Sequence, residues 1–331
     1  MLIQVKNISK HFSMFKRDPG LSGAFKSFFN RRHEDFHALK SINLDIDEGE
    51  IVGVLGENGA GKTTLIKLMI GLIYPSDGSI LINNYNPSDR SPEFLKIISV
   101  VMGQKNQLWW DIPASESFLL NQKIYDIDEK SYKKTLDELI DLLDVREKVN
   151  VQVRKLSLGE RMKMEIIASL LHQPKIVLLD EPTIGLDVIS QSKIREFVKY
   201  YREQYKTTFL LTSHYMSDIK ALCKRVAVLH KGEKLYDGDF DYLISRVNPP
   251  KRLVFEFSSE ADLSKVEHIN KEFPIKVVDR VLTSEVSDSG LTTLLDLLYD
   301  IDKPTSLSIE DLPVEDTMRN FFNSPKKFLD E

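Results

Sequence analysis

Residues 56–63, Gly56-Glu57-Asn58-Gly59-Ala60-Gly61-Lys62-Thr63, have the types and spacing to enclose a chain of phosphates. They fit the pattern G-x-x-x-x-G-K-[ST]. In that pattern, glycines let backbone N–H groups close around phosphate oxygens. The lysine sets a point charge on the outer phosphates, and the final hydroxyl can ligate Mg²⁺. The pattern is informative only between a strand and a helix. Here the apolar run Ile51–Leu55 precedes it, and a helix is expected from Gly61. The start of that helix adds positive potential at the same point. A glycine-rich turn that merely preceded Lys-Thr would not need this setting.

A second cluster is Ile176-Val177-Leu178-Leu179-Asp180-Glu181, a buried strand ending in two adjacent carboxylates. Alone, such a pair is common at turns and helix caps. In a chain with a phosphate loop, Asp180 is expected to hold Mg²⁺ through water and Glu181 to polarise an attacking water. A third stretch, Leu156-Ser157-Leu158-Gly159-Glu160, opens a helix that leads toward Asp180. As local structure it is a capped start, with Ser157 at the N-cap and Glu160 three residues on. Ser157 and Gly159 also leave N–H groups and a helix dipole pointing outward, which suits a terminal phosphate.

In this order the motifs resemble those of the ATP-binding cassette (ABC) ATPases, over about residues 1–240. The stretch 156–160 matches their signature. Gln104 occupies the Q-loop position, Ile184-Gly185-Leu186-Asp187 matches the D-loop, and His214 in Thr212-Ser213-His214 matches the H-loop. The resemblance implies an ATPase that uses ATP and Mg²⁺ as a head-to-tail dimer. Each ATP would lie between one subunit's phosphate loop and the other's signature. It implies catalytic roles for Glu181, His214 and Gln104, with His214 on the γ-phosphate and Gln104 sensing Mg²⁺ and the membrane partner. Thr63, Gln104 and Asp180 would serve the metal. Gly56, Glu57, Asn58, Gly59, Ala60, Gly61, Lys62, Thr63, Thr64, Ser157, Gly159 and Glu160 would contact nucleotide, and Asp187 would link the two sites. Phe12, in Ser9-Lys10-His11-Phe12, falls where the family stacks an aromatic on adenine, with Phe36 the other candidate. Leu158 stands where the family commonly has glycine, and Glu160 where it has glutamine. Ser157 and Gly159 are kept, which implies a competent site. Both halves of a composite site in one chain favour a homodimer over pairing with a related ATPase subunit.

The elements that must position these residues alternate between strand and helix. That implies an α/β fold with a largely parallel sheet, a P-loop NTPase of the ABC type. Residues 105–172 carry no strand pattern and are expected to form an inserted helical lobe, helical over 114–145 and again over about 158–172. A break at Asn248-Pro249-Pro250 separates an ATPase domain, 1–245, from a small C-terminal α+β appendage, 250–331. In the appendage the pattern predicts strands near 252–258, 274–286 and 305–309, and helices at 290–300 and 313–323.

The chain has 331 residues, about two domains' worth, and is 42% hydrophobic and 29% charged, enough to bury a real core. A net charge of −5 speaks against bulk attraction to nucleic acid. One cysteine, Cys223, forms no intrachain disulfide and reads as a packed helix residue in a reducing compartment. No run approaches the ~20 apolar residues of a membrane helix. A peripheral position on the cytoplasmic face of the membrane, beside a separate integral-membrane permease, is therefore expected.

The two tryptophans, Trp109 and Trp110, adjoin the Q-loop position. They could pack the core of the helical lobe or line a groove that receives the permease. With 181–187 and 211–216, this stretch is similar to bacterial exporter-type ATPases of the daunorubicin-resistance and sodium-efflux kind. Polysaccharide-exporter ATPases share the extra residues at 13–36 and are the alternative within transport. A soluble, non-transport ABC ATPase would carry two cassettes or a long coiled coil, and neither pattern is present. Within 13–36, Leu21, Ala24, Phe25, Phe28 and Phe29 fall at helical spacing among basic residues. That is the pattern of an amphipathic helix, packed on the domain or lying at the membrane, on a segment expected to leave the sheet just after Phe12 and return at Ala38.

Overall fold

The chain opens as a long hairpin. In the computed structural model, β1 (Ile3–Phe15) pairs antiparallel with β2 (His33–Ile46). The structure describes residues 1–15, 33–103, 105–213, 215–247, 250–258 and 273–311, together with 266, 269, 318, 321 and 322. On β2, Ile42, Leu44 and Ile46 alternate inward, as expected of a strand with one buried face. The segment 13–36 was expected to leave the sheet after Phe12 and return at Ala38. Instead the ladder continues through Phe12↔Phe36, Ser13↔Asp35, Met14↔Glu34 and Phe15↔His33. Register shifts on either side of Lys10 give the ribbon an added twist that carries it past the rim of its sheet. Residues 16–32, with the expected amphipathic helix, lie outside the described residues.

β3 (Ile51–Leu55) follows, then β4 (Asp77–Ile82), which pairs with the other side of β1 in a three-stranded sheet of order β2-β1-β4. The second sheet has the order β5-β6-β7-β3-β8-β9, with β5 (Ile98–Met102), β6 (Ile176–Asp180), β7 (Thr208–Ser213), β8 (Arg225–His230) and β9 (Glu233–Asp239). All but β9 run parallel. The β8–β9 hairpin turns on Lys231 and Gly232, both at positive φ, as a type I′ hairpin turn requires.

The helices of this unit are α1 (Lys62–Met69), α2 (Pro92–Ile97), α3 (Ala114–Ile124), α4 (Glu129–Leu143), α5 (Leu158–Leu170), α6 (Val188–Tyr205) and α7 (Met216–Leu222). Among the described residues, 105–172 contain no strand. The helix expected over 114–145 is broken. Asp126 adopts positive φ, and Asp128 accepts from Ser131 N at 3.0 Å to cap a new start. The core joins Ile3, Val5, Ile42 and Leu44 of the hairpin to Val52 and Val54 of β3 and Leu65, Ile66 and Met69 of α1.

The chain divides at Asp239/Phe240, a few residues before the Asn248-Pro249-Pro250 break. The second unit holds α8 (Phe240–Val247), α9 (Asp288–Tyr299) and an antiparallel sheet of order β11-β12-β10-β13. Its strands are β10 (Lys251–Phe257), β11 (Ile275–Val278), β12 (Val281–Val286) and β13 (Pro304–Asp311). Leu253, Phe255 and Phe257 alternate inward and pack with Leu294 and Leu298 of α9. Most of 313–323 falls outside the described residues.

Candidate active site

Parallel register brings the site together. Met102 pairs with Asp180, Asp180 with Thr212, and Thr212 with Val54, so the C-terminal ends of β5, β6, β7 and β3 form one rim. In open α/β sheets, ligands bind outside that edge. The chain segments leaving those strands are the phosphate loop, the acidic pair, and the segments that lead to Gln104 and His214. Gln104 and His214 themselves lie outside the described residues.

The phosphate loop leaves β3 and ends in α1. Gly61 has φ +108°, and a Cβ there would meet Leu39 Cδ2 at 2.5 Å and the Ala38 carbonyl at 2.7 Å. Only glycine serves at this point. The first turn of α1 has no side-chain cap and no acidic residue, so its N–H groups stay free for an anion.

Lys62 folds back over the loop and donates to the carbonyls of Gly56 at 2.7 Å and Glu57 at 3.2 Å. Its Nζ lies 3.7 Å from Glu181 Oε1. Burial draws the ammonium's pKa below its ordinary value, against the opposing pull of Glu181 and Asp180.

Asp180 accepts from Thr63 Oγ1 at 2.9 Å and from Thr212 Oγ1 at 2.5 Å. Thr63 and Asp180 thus converge as hard oxygen ligands, a donor set that fits Mg²⁺. Glu181 has φ +54°, and its N–H donates to the Thr212 carbonyl at 3.0 Å. This fixes the turn that aims the carboxylate back over the loop. A cavity of about 450 Å³ lies over these groups. Glu57, Asn58, Gly59, Gly61, Lys62, Thr63, Thr64, Asp180 and Glu181 line it, Gly56 and Ala60 of the same loop do not, and Ala38, Met102 and Lys105, which the motifs did not identify, line it too. Phe36 lines the cavity and Phe12, opposite it in register, does not; the Phe12 ring instead carries Lys10 Nζ at 5.0 Å.

Ser157 caps α5 through a reciprocal box. Its Oγ accepts from Glu160 N at 3.2 Å, and its own N–H donates to Glu160 Oε2 at 2.9 Å. The N–H of Ser157 is therefore not free, contrary to expectation. What Ser157 offers outward is its hydroxyl. The Ser157 N–H, and then Lys148 at 3.1 Å, hold the Glu160 carboxyl below its ordinary pKa. Gly159 is buried, and a Cβ there would collide with Ser190 Oγ. Ser190 N and Oγ in turn donate to Asp187, the N-cap of α6, at 2.9 and 2.7 Å. The signature start and the D-loop are therefore packed directly against each other. Ser157, Gly159, Glu160 and Asp187 do not line the phosphate-loop cavity.

Trp109 and Trp110 are 61% and 45% exposed, so they do not pack the lobe's core. Glu165 of α5 accepts from Gln107 N at 2.9 Å and Leu108 N at 3.3 Å, which holds their loop out, and Arg161 lies 5.5 Å from the Trp110 ring centroid.

Residues 39–184 match the ABC transporter family. The chain is 34% identical over 218 residues to the ABC transporter ATP-binding protein NatA of Bacillus subtilis (strain 168), covering 65% of this chain and 88% of that protein. It is 33% identical to the bacitracin transport ATP-binding protein BcrA of Bacillus licheniformis, covering 67% and 71%. Among solved structures, a dimeric ATP-binding cassette in a post-hydrolysis state with ADP and phosphate matches with a TM-score of 0.59 at 26% identity, covering 72% of this chain and 98% of that one. The phosphate loop, the acidic pair at the end of β6, the capped signature helix and these likenesses converge: the chain belongs to the ABC transporter family, as an ATP-binding and ATP-hydrolysing subunit.

Proposed function

We propose that this ATPase drives an exporter whose membrane-spanning part is a separate permease, and that two copies close head to tail on ATP at the cytoplasmic face of the membrane. One observation carries this reading. The cavity holds Lys62, Thr63, Asp180 and Glu181 but not Ser157 or Asp187. The site of one chain lacks a signature and the signature lacks a site, and a second copy supplies both. The apolar Leu158, Val188 and Ile189, exposed beside Asp187, give such a closure surface to bury.

Lys62 and the free amides of α1 bind the β- and γ-phosphates. Phe36 offers a face to the adenine. Mg²⁺, held at Thr63 and Asp180, would neutralise charge on the phosphates. Glu181 orients the attacking water, and Ser157 of the opposite copy meets the γ-phosphate.

Export is supported by the relatives, named for bacitracin transport and, in a second Bacillus subtilis protein 31% identical to this chain, for linearmycin resistance. No helix among the described residues is long and apolar enough to cross a membrane. The exposed Trp109 and Trp110, with Leu120 and Ile124 of α3, suit a permease contact. The extra residues at 13–36 keep a polysaccharide exporter as the second reading.

Glu181→Gln tests the proposal. It should abolish turnover, keep ATP binding, and trap a dimer on size-exclusion chromatography with ATP and Mg²⁺. A monomer at saturating ATP would overturn it.

A further inference from the structure

Among the described residues, two buried carboxylates, Glu165 and Asp218, lie outside the motifs. Asp218, on α7, is 1% exposed. Its Oδ2 accepts from the Thr183 hydroxyl and from Ser213 Oγ, the latter at 3.2 Å, and its Oδ1 accepts from Arg195 Nη1 of α6 at 3.1 Å. A buried carboxylate is tolerated when its lone pairs are filled and its charge is matched, and here both conditions hold.

The partners matter because of where they stand. Thr183 lies two residues after Glu181, in the turn that runs to Asp187; Ile184 N donates to the Glu181 carbonyl at 3.3 Å and Leu186 N to the Thr183 carbonyl at 3.2 Å. Ser213 ends β7, follows the Thr212 that holds both Asp180 and the Glu181 N–H, and precedes His214 in the chain. Ser213 Oγ also accepts from Tyr215 N at 2.9 Å. Arg195 belongs to the helix that Asp187 caps.

We infer that Asp218 is a positioning residue for hydrolysis. It fixes the Glu181–Asp187 turn against the segment entering His214, so the rate of the chemical step depends on it while ATP binding does not. The inference rests on the ATPase reading of the site. Asp218 touches neither the phosphate loop nor the described cavity lining, so nucleotide affinity has no direct route through it. A shift of about 1 Å in a reacting group costs on the order of 100-fold in rate.

The test compares Asp218→Asn, Thr183→Val and Ser213→Ala with wild type, using steady-state ATPase kinetics, fluorescent-nucleotide binding and thermal melting. The expected result for Asp218→Asn is a kcat lower by roughly 10- to 100-fold, with KM and nucleotide Kd within about threefold. Thr183→Val and Ser213→Ala should each lower kcat in part. Added to the Thr183→Val/Ser213→Ala double variant, Asp218→Asn should cost little more, because the three act as one unit. A purely structural carboxylate would lower the melting temperature and leave kcat near wild type, and that result overturns the inference. Matching losses in kcat and nucleotide affinity overturn it too. If Asp218→Asn fails to fold, the two hydroxyl variants decide alone, and wild-type kcat in both refutes the role. Glu181→Gln serves as the control: turnover that survives it would sink the ATPase assignment of the site, independently of Asp218.

Discussion

Thr63 Oγ1 donates to Asp180 Oδ2 at 2.9 Å, joining the first turn of α1 to the end of β6. A hydroxyl and a carboxylate so placed share one metal ion with little rearrangement. Thr63→Ala and Asp180→Asn should therefore raise the Mg²⁺ concentration for half-maximal ATPase by about tenfold or more, while Thr212 still orders residue 180. Titrating Mg²⁺ at fixed ATP checks this. Unchanged midpoints would place the metal elsewhere.

Lys62 is held by two loop carbonyls and by Glu181. Lys62→Ala removes the phosphate-facing charge and should weaken nucleotide binding, by about 2 kcal/mol as for a charge-assisted hydrogen bond. Equilibrium binding of a fluorescent ATP analogue reads the loss directly. Glu181→Gln, in contrast, should bind with near wild-type affinity.

Ser157 is exposed and distant in role from its own chain's nucleotide. Ser157→Arg should leave ATP binding intact and cut hydrolysis by tenfold or more, on the order of one lost transition-state donor. It should also cost about 1 kcal/mol of stability through the lost cap. Wild-type turnover would remove Ser157 from the site.

His172 stacks on Tyr125 with ring centroids 3.8 Å apart and planes 6° from parallel. Burial lowers its pKa from 6.5 to about 4. Above pH 6.5 the imidazole is neutral in both folded and unfolded chains, and its contribution to stability is greatest. As pH falls from 6.5 toward 4, the unfolded chain takes up the proton first, and about 3 kcal/mol is lost. His172→Phe keeps the stacked ring and removes the titration. Urea midpoints at pH 7 and pH 4.5 should therefore fall further in wild type than in the variant.

The second unit has its own core and none of the nucleotide-site residues. A chain ending at Asp239 should bind ATP with an affinity within about threefold of the full chain, by the independence of distant sites. Isothermal titration on the purified fragment checks this. A folded fragment that fails to bind would tie the second unit to the nucleotide site.

The phosphate loop, the acidic pair and the capped signature were legible because each is a local pattern of residue type and spacing. Ile51–Leu55 and Ile176–Leu179 were equally plain, since strands buried on both faces read as unbroken apolar runs. What escaped was set by non-local register. Nothing near Thr212 says that its hydroxyl meets Asp180; the parallel alignment of β6 and β7 decides that. The continuation of β1 and β2 through residues 13–15 and 33–36 was hidden for the same reason, because strand pairing is invisible in either strand alone. The bound N–H of Ser157 could have been anticipated, since Glu160 three residues on was already recognised as a capping partner.

Trp109 and Trp110 are the only tryptophans in the chain, and both stand in solvent on one loop. The protein's indole emission therefore comes from a single place beside the segment that leads from β5 into the helical lobe. An unlabelled sample carries its own optical probe there. Anything that covers the loop should shift that emission to shorter wavelength, and events confined to the C-terminal unit should leave it unchanged.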